Sequence, residues 1–128
     1  MCADFTACPD PLARAPRAGG RASVLIAPPS LQGALSAVVW RDTAGLALNA
    51  AQKLNHFPAT PLVCLSWFQG MDIGLIESSE GGAPRWRPLD AALTWSGSQS
   101  RPLVSWSPSV GRAGMACFPV DVAHALFG

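Results

Sequence analysis

Charge is what this sequence has least of. Asp, Glu, Lys and Arg make up 13% of its 128 residues, about half the usual share of ~25%. The formal net charge is +1. A chain that neutralises a run of phosphates needs a basic stripe, and the scattered arginines form none, which disfavours nucleic-acid contact by this chain alone. Scarce charge also covers a monomer's surface poorly. It points to apolar surface that meets another domain or subunit.

Metal-ligating and catalytic residue types are equally sparse. The histidines are His56 and His124, far apart, and the glutamates are Glu77 and Glu80. A catalytic metal takes about three protein ligands, and no cluster of histidines with a carboxylate occurs, so no metal site and no cofactor are expected. The four cysteines, Cys2, Cys8, Cys64 and Cys117, contain no CxxC spacing. They read as reduced thiols of a cytoplasmic protein. GxSxG, Walker A, GxGxxG and HExxH are all missing. No catalytic residue is assigned, and the chain reads as a non-enzyme. Asp4 and Asp10 interrupt the N-terminus and no apolar h-region follows, so no signal peptide is expected. The uncharged stretches Ala22 to Trp40 and Leu54 to Met71 are broken by prolines and polar residues, which excludes helices through lipid.

What the chain does contain is short alternating runs between breakers. Twelve glycines and twelve prolines make a long helical bundle improbable. Residues 1–22 read as a disordered tail and 23–128 as one domain. Strands are expected near 23–27, 35–40, 62–68, 72–77, 91–96, 103–107 and 112–118. The runs 62–68 and 72–77, joined through Gly70 and Met71, read as a hairpin. Residues 43–55 read as a loop with a helical turn, and 78–88 as a turn-rich excursion. Asp121 is placed to cap a helix through Phe127, with Gly128 at its stop. Close-spaced strands without βαβ alternation predict a mainly β, antiparallel barrel or sandwich with a short C-terminal helix.

Few residues stand out as ligand contacts. Trp67, Trp95 and Trp106 fall in predicted strands, where large rings either fill a core or line a barrel cavity. Arg101, beside Pro102, is placed for an acidic ligand or for a salt bridge. His56 precedes Phe57-Pro58 in an extended segment, as a hydrogen-bonded structural residue or a ligand contact. Cys64 and Cys117 read as small core residues.

Three segments carry a family likeness. Asn55-His-Phe-Pro-Ala-Thr-Pro61 running into Leu-Val-Cys-Leu-Ser-Trp67, the turn Trp95-Ser-Gly-Ser-Gln-Ser-Arg-Pro102, and the closing run from Met115 to Gly128 occur in this order. Together they resemble the N-terminal regulatory domain of one group of AraC-type transcription regulators. The resemblance covers about residues 30–128. It implies a small cupin-like β-barrel that senses a small-molecule effector or mediates dimerisation, here as a homodimer. It also implies DNA binding through a helix-turn-helix domain that is absent from this chain, which has no pair of helices joined by a tight turn. The alternative is a stand-alone cupin-like small-molecule-binding protein or enzyme.

Overall fold

Side chains that alternate between two environments at period two form strands, and that pattern builds most of this chain. The computed structural model describes residues 8–13, 21–78 and 81–128. Among them are nine strands: β1 (Arg21–Ile26), β2 (Ala37–Asp42), β3 (Leu54–Phe57), β4 (Val63–Gln69), β5 (Gly74–Glu77), β6 (Arg85–Pro88), β7 (Leu93–Ser96), β8 (Leu103–Trp106) and β9 (Arg112–Phe118). A 3-10 turn, Ala51–Lys53, precedes β3, and helix α1 spans Val120–Phe127. The strands make two sheets, ordered β1-β2-β9-β4-β7 and β3-β8-β5-β6. Every strand pair within them is antiparallel. The domain is therefore mainly β, two antiparallel sheets with one C-terminal helix.

The expected hairpin does not form. β4 pairs with β7 and β9, whereas β5 pairs with β6 and β8 in the other sheet. Gly70, at φ +68°, turns the chain out of the first sheet, and the Asp72 amide is held by Ser109 Oγ at 3.0 Å. The segment is thus a crossing between sheets. Two short strands were not anticipated. β3 lies at the end of the expected loop, and β6 lies inside the expected turn-rich excursion. Their partners, Leu103–Trp106 for β3 and Gly74–Glu77 for β6, supply the order that four residues lack by themselves. Helix α1 also begins one residue before the expected cap. Pro119 holds the N-cap position and Asp121 lies in the first turn, where its negative charge suits the helix dipole. Gly128, at φ +82°, closes the helix with its amide on the His124 carbonyl at 2.9 Å.

The most buried apolar cluster lies on the face of the β3-β8-β5-β6 sheet turned away from the other sheet. It consists of Leu54, Trp86 and Trp106. The two indoles meet edge to face at 5.6 Å and 84°, the geometry that their quadrupoles favour. Each ring N–H is satisfied at 2.9 Å, Trp86 Nε1 on the Trp106 carbonyl and Trp106 Nε1 on the Ala50 carbonyl. Cys8 and Ala13 pack over this cluster. Of the expected N-terminal tail, residues 1–7 and 14–20 lie outside the described residues. Residues 8–13 have a defined place, where the Pro11 carbonyl accepts from His56 Nε2 at 2.7 Å. Outside the first sheet, Trp95 packs on Phe127 of α1 at 4.5 Å and on Phe118 at 6.2 Å. Among the described residues, no helix is long and apolar enough to cross a membrane.

Candidate functional site

The period of two decides which residues face the space between the sheets. On β2 these are Val39 and Arg41; on β4, Cys64, Ser66 and Phe68; on β9, Ala113, Met115 and Cys117. The opposite sheet contributes Asn55 and Phe57 from β3, Leu75 from β5, and Leu103 and Ser105 from β8. Together they line a cavity of about 360 Å³. This lies within the range of ordinary small-molecule sites, which combine an apolar wall with a few placed polar groups.

The polar groups are unevenly distributed. At the end formed by the close of β2 and the start of β3, Arg41 Nη1 donates to Asn55 Oδ1 at 2.9 Å and Nη2 to the Gln52 carbonyl at 3.3 Å. Nearby, Lys53 Nζ donates to the Pro108 carbonyl at 2.9 Å and lies 5.8 Å from the centre of the Trp106 ring. Thr43 Oγ1 donates to the Gly111 carbonyl at 3.1 Å, which ties the end of β2 to the start of β9. At the other end, Cys64 and Cys117 are direct cross-strand partners whose sulfurs are 3.4 Å apart. There the Thr60–Gln99 bridge joins the flanking loops through bonds of 3.0 and 2.8 Å. A line of hydroxyls runs between the ends. Ser66 and Thr94 are paired across β4 and β7, and Ser105 faces them from β8.

Trp67, Trp95, Trp106, Arg101 and His56 are not among the residues lining this cavity. Trp67 lies across Gly114 on the outer face of its sheet, where a Cβ on that glycine would run into the indole. Trp95 is exposed beside α1, Trp106 is buried under residues 8–13, and His56 bonds to Pro11 on that same side. Arg101 is exposed in the loop before β8. The structure thus separates these five residues among three surfaces. The residues that do converge, Arg41, Lys53, Asn55 and the hydroxyls, were not singled out from the sequence. One signal for the hydroxyls exists: Cys64 and Ser66 in β4, Thr94 and Ser96 in β7, and Ser105 in β8 with Ser107 just beyond it repeat small or hydroxylic side chains at period two.

No family model, curated protein or solved structure matches this chain. The geometry alone therefore carries the functional reading. Among the described residues, no group of three or more His, Cys, Asp or Glu is placed to hold a metal ion. Among the described residues that line the cavity there is neither a histidine nor a carboxylate. Its chemistry consists of two cations, amide and hydroxyl hydrogen-bonding groups, two thiols and an apolar wall.

Burial pushes the Cys64 thiol up to about 12 from its ordinary 9.0, and the hydrogen bond to Cys117 adds to the effect. The folded chain therefore keeps a proton that the unfolded chain releases near pH 9. Its stabilising contribution is complete below pH ~9 and is lost as pH rises from there toward ~12. Denaturation midpoints should fall over that interval, and fall less in Cys64→Ala. The same protonation keeps the thiol unreactive. At pH 8, iodoacetamide should label half-buried Cys8 in the native chain but reach Cys64 and Cys117 only in urea. Labelling of Cys64 as fast as Cys8 in the native chain would contradict this.

Proposed function

We propose that this chain is an effector-sensing regulatory domain of the cupin-like type used by AraC-type transcription regulators, with its small-molecule effector held between the two sheets. The cavity is the observation that carries the reading: about 360 Å³ lined from both sheets by an apolar wall and a few polar groups. The order of strands supports it. With edge strand β1 set aside, the chain crosses between sheets to give β2-β9-β4-β7 facing β3-β8-β5-β6, the arrangement of a double-sheet jelly roll, to which cupins belong.

A route from effector to output follows from the same strands. Thr94, Ser96 and Cys117 line the cavity from β7 and β9. Trp95 and Phe118, on the other side of these strands, hold Phe127 of α1. An effector that binds one arrangement of β7 and β9 more tightly shifts α1, and with it a DNA-binding domain attached beyond it. The reading includes a homodimer. Val24, Leu25 and Ile26 of edge strand β1 are all more than 60% exposed, and an unpaired apolar edge is suited to a second copy.

A cavity-filling variant tests the proposal. Ala113 faces the cavity from β9, directly across from Arg41 of β2, and Ala113→Phe fills that end of it. In a thermal-shift screen of small organic compounds, a ligand present at 100 times its Kd should stabilise the native chain by about 2.7 kcal/mol. That corresponds to a rise in Tm of several degrees. The rise should vanish in Ala113→Phe. Hits that stabilise both proteins equally would show binding elsewhere and remove the basis for the reading, as would a screen without hits.

A further inference from the structure

We propose that the ligand of this cavity is an organic monoanion, a carboxylate on an alkyl or aryl body, with its charged end between Arg41 and Lys53. This rests on the reading of the cavity as an effector site and names the class of effector.

The imbalance of charge carries the inference. Arg41 and Lys53 both line the cavity, and among the described residues no Asp or Glu does. The two ion pairs among the described residues, Arg87–Glu77 and Arg112–Asp42, use other arginines, and none of those four residues lies in the lining. Arg41 and Lys53 are half-buried and, among the described residues, bond to neutral oxygens: Asn55 Oδ1 and the Gln52 carbonyl for one, the Pro108 carbonyl for the other. The part-buried Arg41 guanidinium carries a charge that no anion among the described lining residues offsets, and an anion between it and Lys53 relieves that cost.

The hydrogen-bond count agrees. A guanidinium has five N–H donors and an ammonium three. Arg41 makes two of its bonds within the chain and Lys53 one. The remaining donors fit a carboxylate, which arginine binds through two parallel bonds. The bonds already made to Asn55 and Gln52 fix the guanidinium in place, so little side-chain freedom is lost on binding.

The rest of the lining sets the body of the ligand. Away from Arg41 and Lys53, the wall includes Val39, Phe57, Phe68, Leu75, Leu103 and Met115. A dry apolar cavity of ~150 Å³ is known to hold benzene, and this one is about 360 Å³. It therefore takes a ring or chain larger than benzene along with the carboxylate. Inorganic phosphate would leave that wall against empty space or water.

Calorimetry on the full chain tests this with matched pairs: octanoate against octanamide, and 4-phenylbutyrate against 4-phenylbutanamide. Each acid should bind about tenfold or more tighter than its amide, the usual margin for a charge-assisted bond. That preference should shrink between 50 and 500 mM salt as the charges are screened. Arg41→Gln and Lys53→Met should each weaken the acid several-fold and leave the amide unchanged. The salt series uses only the native chain, so it decides the matter even where a variant folds poorly. Amides that bind as tightly as acids, or an acid preference that survives both substitutions, would overturn the monoanion and leave the cavity reading standing. Failure of all four compounds also overturns the monoanion, while the Ala113→Phe screen separately decides whether the cavity binds anything.

Discussion

Trp106→Ala is expected to be the most damaging single truncation in this chain. Replacing a buried tryptophan by alanine costs about 3–5 kcal/mol, a large part of the ~5–15 kcal/mol that holds a domain folded. Trp106 sits at 8% exposure against Trp86 and Leu54. Its loss removes the edge-to-face partner of Trp86 and opens a cavity beneath residues 8–13. It also removes the ring N–H that reaches the Ala50 carbonyl, which holds the turn leading into β3. With a urea m value near ~2 kcal/mol/M, the midpoint should fall by about 2 M. Trp106→Phe, which keeps a ring but not the N–H, should fall between the two. A shift below ~0.5 M in the alanine variant would show that the cluster is not a packed core.

Gly74→Ala should do comparable harm by adding one carbon. A Cβ at Gly74 would lie 2.5 Å from the Arg87 carbonyl and against the Trp86 indole. The carbonyl is backbone of the paired strand β6, so it yields only if the β5–β6 pairing opens. The indole is held by its bond to the Trp106 carbonyl. Overpacking typically costs 1–3 kcal/mol, and this site belongs at the upper end, about 3 kcal/mol. Thermal melts should show a loss of many degrees together with a changed near-ultraviolet tryptophan signal. Gly97→Ala is the control: nothing lies within 4 Å of its added Cβ, and its effect should stay within ~0.5 kcal/mol. Equal stability of Gly74→Ala and Gly97→Ala would refute the close approach of Trp86 to β5.

The two substitutions address residues whose importance differs in legibility. Trp106 stands out in the sequence as a large ring in an alternating run, yet its partner Trp86 lies in a stretch that reads as turn. Gly74 reads as one of many breakers. Its role exists only because Trp86, twelve residues on, folds back over it. The cavity residues were hidden for a related reason. In β4 the alternation sets Cys64, Ser66 and Phe68 against the larger apolar set, Val63, Leu65 and Trp67, without deciding which faces inward. The structure turns that set outward and points Cys64, Ser66 and Phe68 into the cavity. A binding cavity needs room and hydrogen-bonding groups, so the smaller, more polar face is the one directed inside, against the ordinary hydrophobic expectation.

Local sequence by itself determined that this chain is mainly β. It placed most of the strands, the breaks between them and the terminal helix stopped at Gly128. These features depend on side-chain alternation and on backbone freedom within a few residues, and both are visible in a short window. Only the tertiary structure decided which sheet each strand joins, that residues 62–68 and 72–77 part company, that β3 and β6 exist, and that Arg41 and Lys53 share one end of a cavity. Each of those outcomes rests on partners distant in the chain, such as Cys64 with Cys117, 53 residues apart, and Thr43 with Gly111, 68 apart. Hydrogen bonds and packing across such separations form only when the whole chain closes on itself. No local pattern specifies which of two equally plausible faces ends inside.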